Sequence, residues 1–93
     1  MQTITIEITN KEGLHSRPSS MIAELASKYP SCNIKLVTED GRKANAKSTV
    51  EIIILGVIYK EKITIIANGK EETEIIDKLS ELLKSNFKEE IKE

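Results

Sequence analysis

Residues Ser48 to Tyr59 read STVEIIILGVIY, and the fold turns on whether they form a strand or a helix. β-Branched residues dominate the run, which by propensity favours a strand. Its punctuation points the other way. Ser48 and Glu51 have the Ser-x-x-Glu spacing in which each side chain satisfies a backbone N–H of a helix's first turn. Gly56, one short helix later, suits a left-handed C-terminal cap. The spacing predicts a short helix, with most of its isoleucines in the core and with Val50 and Ile53 the most exposed of its apolar residues.

The flanks are easier to assign. Upstream, Cys32, Ile34 and Leu36 alternate with polar residues as on a strand, and Asp40-Gly41 is a strong hairpin signal. Arg42 to Ala46 is the expected return strand, polar enough for a sheet edge. Further back, Thr3 to Ile8 alternates with Ile4, Ile6 and Ile8 on one face. A turn signal follows over Asn10 to Gly13. From Ser16 the period becomes helical, with Met21, Ile22, Leu25, Ala26 and Tyr29 in one stripe and Pro30 as its stop. Downstream, Ile63, Ile65 and Ala67 alternate, Asn68-Gly69 turns the chain, and Glu71 and Glu72 suit the positive end of a helix dipole. Ile75, Ile76, Leu79, Leu82, Leu83 and Phe87 then mark a long amphipathic helix. The charged residues 88–93 are expected to fray.

The resulting order is β-α-β-β-α-β-α. Every apolar stripe is buried if a four-stranded antiparallel sheet is covered on one face by three helices, an α+β two-layer open-faced sandwich. The 93 residues suffice for one domain, 1–93, with a single modest core. A net charge of −1 and three aromatics (Tyr29, Tyr59 and Phe87) argue against a nucleic-acid binder. The lone Cys32 fits a reducing compartment and a buried strand position. The chain opens on a strand pattern, not a leader, and has no run of about 18 apolar residues. We therefore expect a cytoplasmic protein without membrane insertion, and a monomer.

One segment carries chemistry. GLHSRPSS, Gly13 to Ser20, holds the only histidine, His15, at the mouth of the first helix. It could be a solvated helix-entry residue. A metal site is disfavoured, because no His-x-His or Cys-x-x-Cys spacing is present, and neither metal nor cofactor is expected. Acyl transfer is disfavoured too: Ser16, Ser19 and Ser20 lie nearby, but there is no Gly-x-Ser-x-Gly elbow, and no evident carboxylate orients the ring. Phosphoryl handling fits better. The first turn of a helix offers unpaired N–H groups and a partial positive charge. Arg17 adds a guanidinium fork that matches phosphate oxygens. Pro18 sits where no N–H is needed, and Gly13 permits an unusual backbone angle before the histidine. Imidazole is a usable nucleophile at neutral pH. No nucleotide-binding loop and no paired carboxylates for magnesium are seen, so the group would come from one protein and pass to another.

The segment GLHSRP resembles the active-site signature of the HPr family, the phosphocarriers of the bacterial sugar phosphotransferase system. The resemblance continues in NAKS (Asn45 to Ser48), LG (Leu55-Gly56) and ITI (Ile63 to Ile65), over nearly the whole chain and in the same element order. It implies that His15 carries the phosphoryl group on Nδ1, taken from enzyme I and passed to the EIIA domain of a sugar permease. Such a protein is a carrier, a substrate of other proteins rather than an enzyme. Arg17 would clamp the phosphate, with help from the backbone amides of Ser16 and Arg17. Ser20, Thr49, Val50 and Ile53 would dock partners. Ser48 matches a position that HPr kinase/phosphorylase modifies, which recruits a catabolite-control transcription factor; the Ser48–Glu51 capping box explains the same serine without regulation. Glu51 stands where Gly or Lys is common, Glu24 where some relatives have a basic residue, and Ser16 where Ala or Thr is usual. The alternatives are a regulatory HPr-like module acting through Ser48 and its surface, and a small ligand-binding domain.

Overall fold

The computed structural model describes residues 1–85 and Phe87. Its elements are β1 (Gln2–Glu7), α1 (Ser16–Ala26), β2 (Cys32–Thr38), β3 (Lys43–Asn45), α2 (Thr49–Leu55), β4 (Lys62–Gly69) and α3 (Glu72–Lys84). The decisive run is a helix, α2. Ser48 is its N-cap, and its hydroxyl accepts from the Glu51 N–H at 3.2 Å. Gly56 closes it at φ 69°, ψ 35°, a left-handed conformation that costs glycine little.

The four strands lie in the order β1-β4-β2-β3, and every pairing is antiparallel. Register aligns the inward residues. Ile6 faces Ile63 and Ile4 faces Ile65 across β1–β4, while Leu36 faces Ile65 and Ile34 faces Ala67 across β2–β4. These pack under Ile22 and Ala26 of α1, Ile52 and Leu55 of α2, and Ile75, Leu79 and Leu82 of α3. The other face is mostly polar, with Thr5 and Thr64 hydroxyls hydrogen-bonded at 2.9 Å across β1–β4. This is the expected open-faced sandwich. No helix among the described residues is long and apolar enough to cross a membrane.

Several local expectations need correction. The helix α1 ends at Ala26, well before Pro30, because Lys28 and Tyr29 N–H groups tighten onto the Leu25 and Ala26 carbonyls, a 3₁₀-like closing turn. Tyr29 is buried, but it lies beyond the helix. Strand β3 is shorter than Arg42 to Ala46, since those two residues each make a single backbone bond to β2, at Thr38 and Ile34. Phe87 is buried, but it follows α3 at φ 63° and donates its N–H to the Leu82 carbonyl, 3.0 Å away. It closes the end of the helix instead of extending the helical stripe. The expected fraying of residues 88–93 lies outside the described residues.

The surface of α2 is also redistributed. Val50 is 63% exposed and Ile53 41%, but Ile54 is the most exposed of the run at 75%. At about 100° per residue, burying Ile52 and Leu55 turns Val50 to the opposite side and carries Ile53 and Ile54 equally far from the core on either flank, of which Ile53 is the more covered. Beyond the helix, Ile58 and Tyr59 extend the exposed apolar surface.

Candidate phosphohistidine site

The loop Asn10 to His15 is built before the imidazole is placed. The Asn10 side-chain amide donates to the Gly13 carbonyl at 2.6 Å, and the Gly13 N–H returns to the Asn10 carbonyl at 3.0 Å. Leu14 N–H then reaches the Val57 carbonyl at 3.0 Å, which ties the loop to the connection between α2 and β4. Gly13 sits at φ +71°, and a Cβ there would lie 2.4 Å from the Val57 carbonyl oxygen. Only glycine accepts both that angle and that approach.

His15 is the N-cap of α1, with extended backbone angles. Its carbonyl accepts the first helical bond, from Ser19 N–H at 3.0 Å. The Ser19 hydroxyl, wholly buried, donates to the Leu14 carbonyl at 2.9 Å and locks the entry. The imidazole itself makes no capping bond. Its side chain is 42% exposed, and Nε2 lies 3.0 Å from Oε1 of Glu12. A carboxylate therefore does face the ring, contrary to the sequence expectation. The reading missed it because Glu12 lies three residues back across a turn, where no periodicity marks neighbours. A proton carried on Nε2 would face that carboxylate, and a neutral ring in that form has its lone pair on Nδ1.

Asn10, Lys11, Glu12, His15, Arg17, Pro18, Met21 and Phe87 line one open cleft of about 360 Å³. Arg17 and the histidine thus share a surface, and Arg17 is solvent-exposed. The N–H groups of Ser16 and Arg17 precede the first helical bond, as an anion cradle requires. Lys11, Met21 and Phe87 were not foreseen as parts of this site. Ser20 is exposed on α1, whereas Thr49 is half-buried at the start of α2. Among the described residues, no group of three or more His, Cys, Asp and Glu side chains could hold a metal ion.

Ser48 lies elsewhere, half-buried at the start of α2. Only half of its capping box forms. Ser48 N–H bonds the Asn45 carbonyl, and the Glu51 carboxylate accepts instead from Asn45 N–H at 2.8 Å. Lys47 anchors the approach, its ammonium donating to the Tyr29 and Cys32 carbonyls at 2.8 and 2.6 Å.

The chain matches the family described as PTS HPr component phosphorylation site over residues 2–85. It is 35% identical over 86 residues to the phosphocarrier protein HPr of Mycoplasma genitalium, covering 92% of this chain and 97% of that protein. Its fold is similar to the crystal structure of HPr-C-His from Thermoanaerobacter tengcongensis, with a TM-score of 0.87, 41% identity and coverage of 94% and 96% of the two chains. It is also similar to Crh, the catabolite repression HPr of Bacillus subtilis, with a TM-score of 0.71 and 30% identity over 91% and 95% of the chains. Family match, relatives and fold agree: the chain belongs to the HPr family of phosphocarrier proteins of the phosphotransferase system.

Proposed function

We propose that His15 accepts a phosphoryl group on Nδ1 from enzyme I and passes it to the EIIA domain of a sugar permease. The observation that carries this reading is an exposed imidazole at the N-cap of α1, in one cleft with Arg17. In the forward step the Nδ1 lone pair forms the P–N bond as the donor's bond to phosphorus breaks. Arg17 and the first-turn amides of Ser16 and Arg17 offset the incoming dianion. The protein supplies a seat and a nucleophile; energy and specificity come from its partners. We place it in the cytoplasm as a monomer. The apolar residues Val50 and Ile53, joined by Ile54, provide the centre of a transient docking surface, with Ser20 and Thr49 also assigned to it.

Incubation with enzyme I and phosphoenolpyruvate should give an acid-labile, base-stable phosphate, and His15→Ala should abolish it. Equal labelling of the two proteins would move the site elsewhere. Arg17→Ala should slow transfer with little change in folding stability; a parallel loss of both would make Arg17 structural.

A regulatory role through Ser48 is the second reading, favoured by the similarity to Crh. A phosphate at the α2 N-cap gains from the helix dipole. Glu51, held one turn away on Asn45 N–H, opposes it. HPr kinase/phosphorylase and ATP should give an acid-stable phosphate that Ser48→Ala removes. Its absence, with a kinase that labels another carrier, leaves Ser48 the cap alone.

A further inference from the structure

Glu12 has no task in the transfer as described so far. Its side chain is 79% exposed, yet its carboxylate meets His15 Nε2 at 3.0 Å. The backbone beneath the pair is fixed at both ends, by the Asn10–Gly13 bonds and by Leu14 N–H on the Val57 carbonyl. The other charged groups lining the cleft, among the described residues, are Lys11 and Arg17, both cations. Glu12 is the one anion among them, and it is the group in contact with the ring.

We propose that Glu12 is a positioning residue that keeps the proton on His15 Nε2 through the whole phosphoryl cycle. This rests on the reading that His15 carries the phosphate. On loading, Nδ1 donates its lone pair to phosphorus while the donor's bond to phosphorus breaks and its electron pair leaves with the donor. Nε2 keeps its hydrogen, so the phosphorylated ring is an imidazolium whose positive charge faces the Glu12 carboxylate. On unloading, the P–N electron pair returns to Nδ1 and the ring departs as neutral imidazole. If Nε2 has lost its proton, the same bond must expel imidazolate, a far poorer leaving group. Glu12 thus extends to higher pH the range in which the carried group is readily released.

The test needs no partner protein. Phosphoramidate, which phosphorylates histidine directly, loads wild type, Glu12→Gln and Glu12→Asp, with His15→Ala as the control for site. Loss of phosphate to water is followed by ³¹P NMR across pH. Glu12→Gln should release phosphate about two- to fivefold more slowly in the upper part of the range, which is the span of an exposed ion pair, and its decline should begin at lower pH. Glu12→Asp, which retains a carboxylate, should fall between the two. Identical pH profiles for wild type and Glu12→Gln would overturn the proposal, as would equal slowing in Gln and Asp. If His15 is not the carrier, that appears separately, as wild-type protein that enzyme I fails to label at His15.

Discussion

At Gly13 a hydrogen stands where any other residue has a carbon, and the site depends on it. In Gly13→Ala the new methyl meets the Val57 carbonyl at a backbone angle that alanine resists. We expect a loss of about 1–3 kcal/mol, read by urea denaturation, together with slower phosphoryl acceptance at His15. The importance of Gly13 was legible as a permissive angle before the histidine. Its contact with Val57 was not, because the two residues meet only when the α2–β4 connection folds back. The Glu12–His15 pair was hidden for a related reason. Rules for neighbours three residues apart hold on a regular helix, and this pair spans an irregular turn.

Helix α2 shows how far punctuation outweighs propensity. A run rich in isoleucine became helical because Ser48 and Gly56 satisfy its two ends and Ile52 and Leu55 reach the core. Ser48→Ala should cost about 1 kcal/mol through the lost cap. Ile52→Ala should cost about 2–5 kcal/mol as a buried truncation, whereas Ile54→Ser should stay within about 0.5 kcal/mol because that side chain faces water; chemical denaturation of the three variants checks all of these. The ends of α2 were readable, but its rotational phase was not. Seven residues fall just short of two turns, and five of them are apolar, so the exposed face could not be told from the buried one. The destination of Glu51 was equally obscure, since Asn45 N–H competes for it only after β3 has formed.

Across the molecule, carboxylates tie separate parts of the chain together. The Tyr29 hydroxyl donates to Glu74 at 2.8 Å, joining the connection between α1 and β2 to α3, and this bond is the first cause holding the Glu74 carboxyl below its ordinary value. Glu72 is lowered chiefly by the Gly69 N–H, and Asp40 chiefly by the Thr38 hydroxyl. Each ionises more readily folded than unfolded, so its contribution is present above the ordinary carboxylate range and is lost as pH falls through the folded value. The thermal midpoint should therefore drop on acidification, and Glu74→Gln should flatten that decline, as scanning calorimetry across acidic pH would show. The layered architecture was visible in the alternation of Ile4, Ile34 and Ile63 and in the helical stripes, since burial permits few arrangements of such faces. The Tyr29–Glu74 link was not visible, because polar partners distant in sequence leave no period. The backbone seam between Gly13 and Val57 also sets where redesign can succeed. Lys11, Glu12 and Ser16 all face water and can be exchanged to retune the charge around the imidazole, while Gly13 is closed to side-chain engineering by the carbonyl it rests on and Leu14 by its burial in the core.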